Sequence, residues 1–226
     1  MIDSLGDRIK LKYEHAYRHY LPGRMPVIIR VDGKAFHTLT RGMEKPFDPR
    51  FTDMMNKTAQ ALMENIQGAE LAYVQSDEIS VLVHNYKRFT SSAWFDNNIQ
   101  KMVSVAAAIA TATFTLEYGK PAMFDARAFV LPEAEVNNYF LWRQQDATRN
   151  SINAVAQSLY SHKELMGKNL KETQELIFQR GQNWNDYPTG LKRGRCVVIG
   201  GALDEQIPIF SEDPDYVNRH LEVLEK

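Results

Sequence analysis

Cysteine is almost missing from this chain: its 226 residues include one, Cys196. A single thiol forms no intramolecular disulfide, so a reducing compartment is expected. Cys196 sits in the apolar run Cys196-Val197-Val198-Ile199 and reads as a buried filler, not a nucleophile. No apolar stretch reads as long enough to span a bilayer, and Met1–Arg8 has no signal-peptide core. These absences give a cytoplasmic protein without a membrane partner as the expectation. An excess of one charge is missing too. Lys and Arg number 27 against 28 Asp and Glu, a net charge of −1, so no global attraction to a polyanion is implied. Repeats, low-complexity tracts and obvious linkers are also lacking. What remains is an ordinary globular composition, 44% hydrophobic and 24% charged, long enough to bury a large core without staples.

Two short apolar runs end in acid: Val27-Ile28-Ile29-Arg30-Val31-Asp32-Gly33 and Ala72-Tyr73-Val74-Gln75-Ser76-Asp77-Glu78-Ile79-Ser80-Val81-Leu82-Val83. The first reads as a buried strand that delivers a carboxylate to its edge. The second reads as a hairpin with Ser76-Asp77-Glu78 at its tip. Side by side, they bring Asp32 and Asp77 together, with Glu78 nearby. Clustered carboxylates repel unless a cation or a proton lies between them. Oxygen ligands of this kind suit Mg²⁺, which takes one or two carboxylates plus substrate phosphates. Two such ions clamp the attacking and leaving oxygens of a phosphoryl transfer. The plain alternatives stand beside this reading. Asp-Gly is an ordinary turn signal, and Asp77-Glu78 alone would make a solvated hairpin tip.

The remaining pattern gives the architecture. Residues 4–20 read as helical, with Leu5, Ile9, Tyr13 and Tyr17 spaced by four. A strand over about 26–32 follows the Pro22-Gly23 break. Asp48 reads as an N-cap with Pro49 at the first helical position, opening a helix to about Ile66. The hairpin covers about 70–84, a helix about 96–118, and a period-two strand Phe124–Val130. Strand, helix, hairpin, helix, strand is the ferredoxin-like order. The expected class is therefore α+β, an antiparallel sheet with helices on one face plus added C-terminal helices. One catalytic domain over 1–226 is expected, with a core at about 25–131 and an annex at about 132–226. In the annex, helices are predicted at about 132–160 and 171–181, a strand at Arg195–Gly200, an edge strand at Ile207–Phe210, and a last helix from Asp213-Pro214. Trp184 reads as a packing residue.

At several separated motifs the chain resembles the tRNA(His) guanylyltransferases and their relatives, the 3′–5′ RNA polymerases. The motifs are Arg30–His37, Glu44–Asp48, Gln75–Ser80, Phe124–Arg127, Trp142–Asp146 and Asn183–Pro188 followed by Lys192-Arg193-Gly194. They span about residues 25–195, in order. The resemblance implies a polymerase-like palm, a homotetramer, and nucleotide addition to the 5′ end of RNA with two Mg²⁺ ions. ATP and GTP, or another nucleoside triphosphate, are the implied substrates, and tRNA the implied partner. Asp32 and Asp77 are the implied metal ligands, joined by the Gly33 carbonyl, with Glu78 assisting as a catalytic acid. Lys34, Ala35, Phe36 and His37 would present the loop to the triphosphate. Lys45 and Ser76 match phosphate-contacting positions, and Asp48 lies beside the base or ribose. Arg127 matches a basic position near the incoming 5′ end, while Arg149, Lys163 and Lys192 are candidate contacts to tRNA.

One departure bears on the substrate. After Arg143-Gln144-Gln145-Asp146, the tRNA(His)-specific members carry a His-Ile-Asn-Asn segment, whereas this chain reads Thr148-Arg149-Asn150-Ser151. The difference resembles the guanylyltransferase-like branch, which repairs tRNAs lacking their first 5′ nucleotides under template direction. Template-directed 3′–5′ addition is therefore the expectation, with a dedicated G−1 addition to tRNA(His) as the alternative.

Overall fold

A computed structural model describes residues 4–224. Its centre is a six-stranded antiparallel sheet in the order β4-β1-β3-β2-β5-β6. The strands are β1 (Val27–Gly33), β2 (Ala69–Gln75), β3 (Glu78–Val83), β4 (Phe124–Val130), β5 (Arg195–Val198) and β6 (Leu203–Asp204). The first four follow the ferredoxin-like order. Strands β5 and β6 extend the same sheet past β2, so the sheet draws on both halves of the chain.

Both sheet faces are covered, which is why β1 to β3 read as nearly continuous apolar runs. Val27, Ile29, Val31, Val74, Ile79 and Val81 pack under helix α1 (Pro49–Asn65) and helix α2 (Ile99–Tyr118). Ile28, Leu71, Tyr73 and Leu82 pack on the other face under helix α3 (Glu133–Leu159). The Asp48 carboxylate caps α1 as expected, accepting from the Arg50 and Phe51 backbone N–H groups. Gly119 ends α2 in the left-handed conformation, where a side chain would be strained. The far end of α3 packs against helix α4 (Leu170–Gln179) through Ile152, Val155 and Ile177, with Trp184 at the margin. The Trp184 indole N–H donates to Ser151 Oγ at 3.0 Å, so this tryptophan is a packing residue.

Several boundaries differ from the sequence expectation for definable reasons. Leu5–Ile9 is α-helical, but Lys10–Glu14 widens to a π turn and His15–Tyr17 tightens to a 3₁₀ turn. No residue of that segment is buried, so no packing enforces one helical period. Ile207–Phe210 is not an edge strand. Pro208 lacks the N–H a ladder needs, and Gln144 of α3 takes over the pairing, donating to the Pro208 carbonyl and accepting from the Phe210 N–H. Ile207 and Phe210 enter the core instead. The expectation that no segment is apolar enough to span a bilayer also fails. Ile99–Tyr118 has that length and composition. One side of it serves packing: Met102, Ala106, Ala110 and Phe114 are buried against the sheet and α1.

Candidate active site

The site forms where β1 and β2 end and β3, β4 and β5 begin. Backbone pairing fixes it. Asp32 stands opposite Glu78 of β3 on one side and Asp125 of β4 on the other. Three acids thus lie in a row across three strands, and like charges in that arrangement repel. The two outer ones are neutralised. Arg143 of α3 grips Glu78 with two hydrogen bonds, 2.8 and 2.7 Å. Arg127 pairs with Asp125 at 3.3 Å. Asp32, in the middle, has no ion pair or hydrogen bond from a side chain among the described residues.

Asp77 joins Asp32 from the turn between β2 and β3. The Gly33 N–H donates to the Asp77 carbonyl at 3.0 Å, tying the end of β1 to that turn. Burial pushes the Asp77 carboxyl above its ordinary value, and the charge of Asp32 adds to the rise. The Ser76 hydroxyl and His37 act in the opposite direction. Both flanking loops hold a non-glycine residue at positive φ, Ala35 at 59° and Ser76 at 48°. Such conformations persist where the surroundings over-determine them.

Asp32 and Asp77 form an unneutralised carboxylate pair, the donor set that suits a divalent cation. No third His, Cys, Asp or Glu completes a ready-made ligand cluster among the described residues. That matches a cation that takes its remaining ligands from phosphates and water. The residues present therefore fit Mg²⁺, which Asp32 and Asp77 would hold beside the Gly33 backbone.

Beside the pair opens a cleft of about 220 Å³. The loop 43–48 and the start of α1 form one wall, α3 at Ala147–Ala154 another, and Gln75, Ser76, Gly194 and Arg195 the floor. Two of the five buried polar atoms without a partner among the described residues lie at this end of the sheet, Arg30 Nε and Gln75 Oε1.

A family model described as tRNA(His) guanylyltransferase (Thg1) matches residues 7–132, more than half of the chain. The chain belongs to the tRNA(His) guanylyltransferase family. It is similar to a bacterial tRNA(His) guanylyltransferase (Thg1)-like protein solved in complex with ATP, at 49% identity and a TM-score of 0.92. That match covers 96% of this chain and 99% of the other. A bacterial protein of the same description in complex with GTP is 46% identical, with a TM-score of 0.87 and the same coverages. A probable tRNA(His) guanylyltransferase of Drosophila melanogaster is 27% identical, over 88% of this chain and 79% of its own length.

As a member of this family the chain is a nucleotidyltransferase, and the geometry sorts its sequence-predicted residues. Asp32, Gly33, Asp77, Ser76 and His37 converge at the ends of β1 and β2. Lys45, Asp48 and Ser76 line the cleft. Asp48 does so as a brace. Burial would raise its carboxyl, but hydrogen bonds from Arg50 and from the Glu44, Phe51 and Arg50 backbones hold it below its ordinary value. One oxygen accepts from the Glu44 N–H of the loop, the other from the Arg50 and Phe51 N–H groups of α1.

Other residues depart from expectation. Glu78 is not in the hairpin tip. It opens β3, is 6% exposed, and turns its carboxylate to Arg143 instead of the Asp32–Asp77 pair. Phe36 is buried among Phe51, Phe114 and Phe124, so only its backbone faces the loop. That packing also explains Gly33, where a Cβ would sit 2.5 Å from the Phe36 ring. Lys192 is not a surface cation. It is 8% exposed, donates to the Asn185 carbonyl at 2.5 Å and lies over the Trp184 ring. Arg127 and Arg149 are half-exposed and paired with Asp125 and Asp146. Lys34, Ala35 and Lys163 are solvent-exposed.

Sequence reasoning missed the work of Arg143, which it placed within the Trp142–Asp146 motif. No spacing in the sequence pointed it at Glu78. Arg143 lies one α-helical turn from Tyr139, whose hydroxyl meets Ser80 Oγ at 2.7 Å, so both point at the same strand.

Proposed function

We propose that this protein adds nucleotides to the 5′ end of tRNA in the 3′–5′ direction, directed by the opposite strand, and so repairs 5′-truncated tRNA. The carrying observation is the Asp32–Asp77 pair, left unneutralised beside two acids that each have an arginine. The 3′-hydroxyl of the incoming nucleotide attacks the 5′ α-phosphorus of the RNA. A new P–O bond forms, the bond to pyrophosphate breaks, and the hydroxyl proton passes to solvent. In such reactions, positioning and charge stabilisation supply most of the catalysis.

Two Mg²⁺ ions, when bound, screen the triphosphates and lower the hydroxyl's pKa. This chain's own residues do the rest. Asp32 and Asp77 fix where that charge sits. Arg143 keeps Glu78 from adding a third negative charge. Lys45 and Ser76 border the cleft at its phosphate end, and the loop Lys34–His37 offers backbone N–H groups beside them. Arg127, with Arg30 opposite it in the β1–β4 register, offers positive charge to the RNA 5′ end. Arg149 and Lys163 extend that charge outward as contacts to the tRNA backbone.

The relatives in complex with ATP and GTP support nucleotide binding by this chain. Thr148-Arg149-Asn150-Ser151, in place of His-Ile-Asn-Asn, supports repair over G−1 addition. The test supplies a 5′-triphosphorylated tRNA lacking its first nucleotide, Mg²⁺ and each nucleotide singly. Changing the opposing acceptor base should switch which nucleotide is added. Addition of G to tRNA(His) alone, whatever the opposing base, would refute the repair reading.

A further inference from the structure

Arg195 is a buried charge that the proposed chemistry does not use. It opens β5 and is 4% exposed. Its Nε donates to Asn56 Oδ1 and its Nη2 to the Thr52 carbonyl, both on α1. A guanidinium carries five N–H donors in a rigid plane, so three are left over. Among the described residues no carboxylate stands within ion-pair distance of it. Burial lowers its pKa to about 10, with Glu205 acting against that from farther away. A buried cation with spare donors is costly unless an acceptor meets it.

That acceptor has a place to come from, because Arg195 lines the cleft beside the carboxylate pair. Gln75 shares this floor. It is 4% exposed, and its Oε1 has no partner among the described residues. The rest of the lining mixes apolar side chains, among them Met43, Phe47, Phe51 and Leu191, with polar ones such as Lys45 and Asp48. A slot with spare donors, one spare acceptor and apolar side chains suits a heterocycle with a polar edge better than it suits a phosphate.

The sheet register separates the two ends. Arg195 pairs with Val74 of β2, and β3 lies between β2 and the strand of Asp32. Three inter-strand steps of about 4.8 Å set the strands of Asp32 and Arg195 roughly 14 Å apart. Phosphates gathered at Asp32 and Asp77 therefore leave the nucleotide's base on the Arg195 side.

We propose that Arg195 reads the base of the bound nucleotide by donating to purine N7, which makes the cleft selective for purines. N7 is the edge acceptor that adenine and guanine share and pyrimidines lack. The inference rests on the nucleotidyl-transfer reading of this cleft. It concerns free nucleotides without RNA, where no template base contributes.

The test measures Mg²⁺-supported binding of ATP, GTP, their 7-deaza analogues, CTP and inorganic tripolyphosphate to the full chain and to Arg195→Met. In the unsubstituted protein, the 7-deaza analogues and CTP should bind about five- to tenfold more weakly than ATP and GTP. Arg195→Met should bring ATP and GTP down to the 7-deaza level and leave tripolyphosphate unchanged. Equal affinity for 7-deaza and natural purines would overturn the proposal, and that comparison needs no variant. A parallel loss of tripolyphosphate binding in Arg195→Met would overturn it too, because Arg195 would then read phosphates. If the unsubstituted protein bound no nucleotide at all, the nucleotidyl-transfer reading itself would fall.

Discussion

Replacing Arg143 with Met removes the main group that neutralises Glu78. Its carboxylate is 6% exposed and receives two hydrogen bonds from Arg143. Arg30 lies no closer than 4.0 Å, too far for a hydrogen bond. Removing one partner of a buried ion pair costs about 3–5 kcal/mol, because the other is left charged in a poor solvent. For a chain of this size that lowers the unfolding midpoint by roughly 6–20 °C. The sign of the pH dependence is also fixed. Burial already raises the Glu78 carboxyl above its ordinary value, and Arg143 is the first group that opposes the rise. Without Arg143 the rise grows. A carboxyl raised in the folded state favours folding at low pH and loses that advantage as pH climbs through its folded pKa. Arg143→Met should therefore cost most near pH 8 and little near pH 4. Pairing it with Glu78→Met should restore most of the stability, since two apolar groups replace two charges. Urea unfolding of the four proteins across pH reads all of this. A cost below about 1 kcal/mol for Arg143→Met at pH 8, or a double variant no better than the single, would refute the reasoning.

Three other outcomes are expected. Asp77→Asn should raise the apo protein's midpoint by a few degrees at pH 8 while abolishing nucleotide addition. Burial and Asp32 raise the carboxyl it replaces, so the gain should vanish below the ordinary carboxylate range, as thermal unfolding against pH would show. Gly33→Ala should cost about 1–3 kcal/mol in urea unfolding, because the new Cβ sits 2.5 Å from a Phe36 ring held by three other aromatic residues. Lys192→Met should lower stability and leave the salt dependence of tRNA binding unchanged, whereas Arg149→Ala should reduce that log–log slope by about one.

Much of the fold was legible because both sheet faces are buried. Continuous β-branched runs bounded by Asp-Gly and Ser-Asp allow little besides core strands. Asp48-Pro49 states its helix start in local chemistry, since the Asp48 carboxylate accepts from two backbone N–H groups of the first turn. The Asp32–Asp77 pairing was legible for the same reason, as strand ends fix register. What was not legible depends on contacts between distant segments. Glu78 looks like a companion acid until α3 delivers Arg143 to it. Lys192 looks like a surface cation until Asn185 and Trp184 close over it. Gly33 looks like a glycine for close approach to an ion, yet its nearest constraint is the Phe36 ring. Pro208 hinted that Ile207–Phe210 would sit poorly in a ladder, but only Gln144 shows where the freed backbone groups go.

The central claim is that Asp32 and Asp77, and not Asp125 beside Asp32, carry the reaction. Single-turnover addition of one labelled nucleotide to a 5′-triphosphorylated, truncated tRNA tests it in four proteins: the unsubstituted chain, Asp32→Asn, Asp77→Asn and Asp125→Asn. The account expects both Asp32→Asn and Asp77→Asn to lose about a thousandfold or more in rate, and Asp125→Asn to stay within about tenfold. Equal losses in all three variants, or near-full activity in Asp32→Asn or Asp77→Asn, would contradict it.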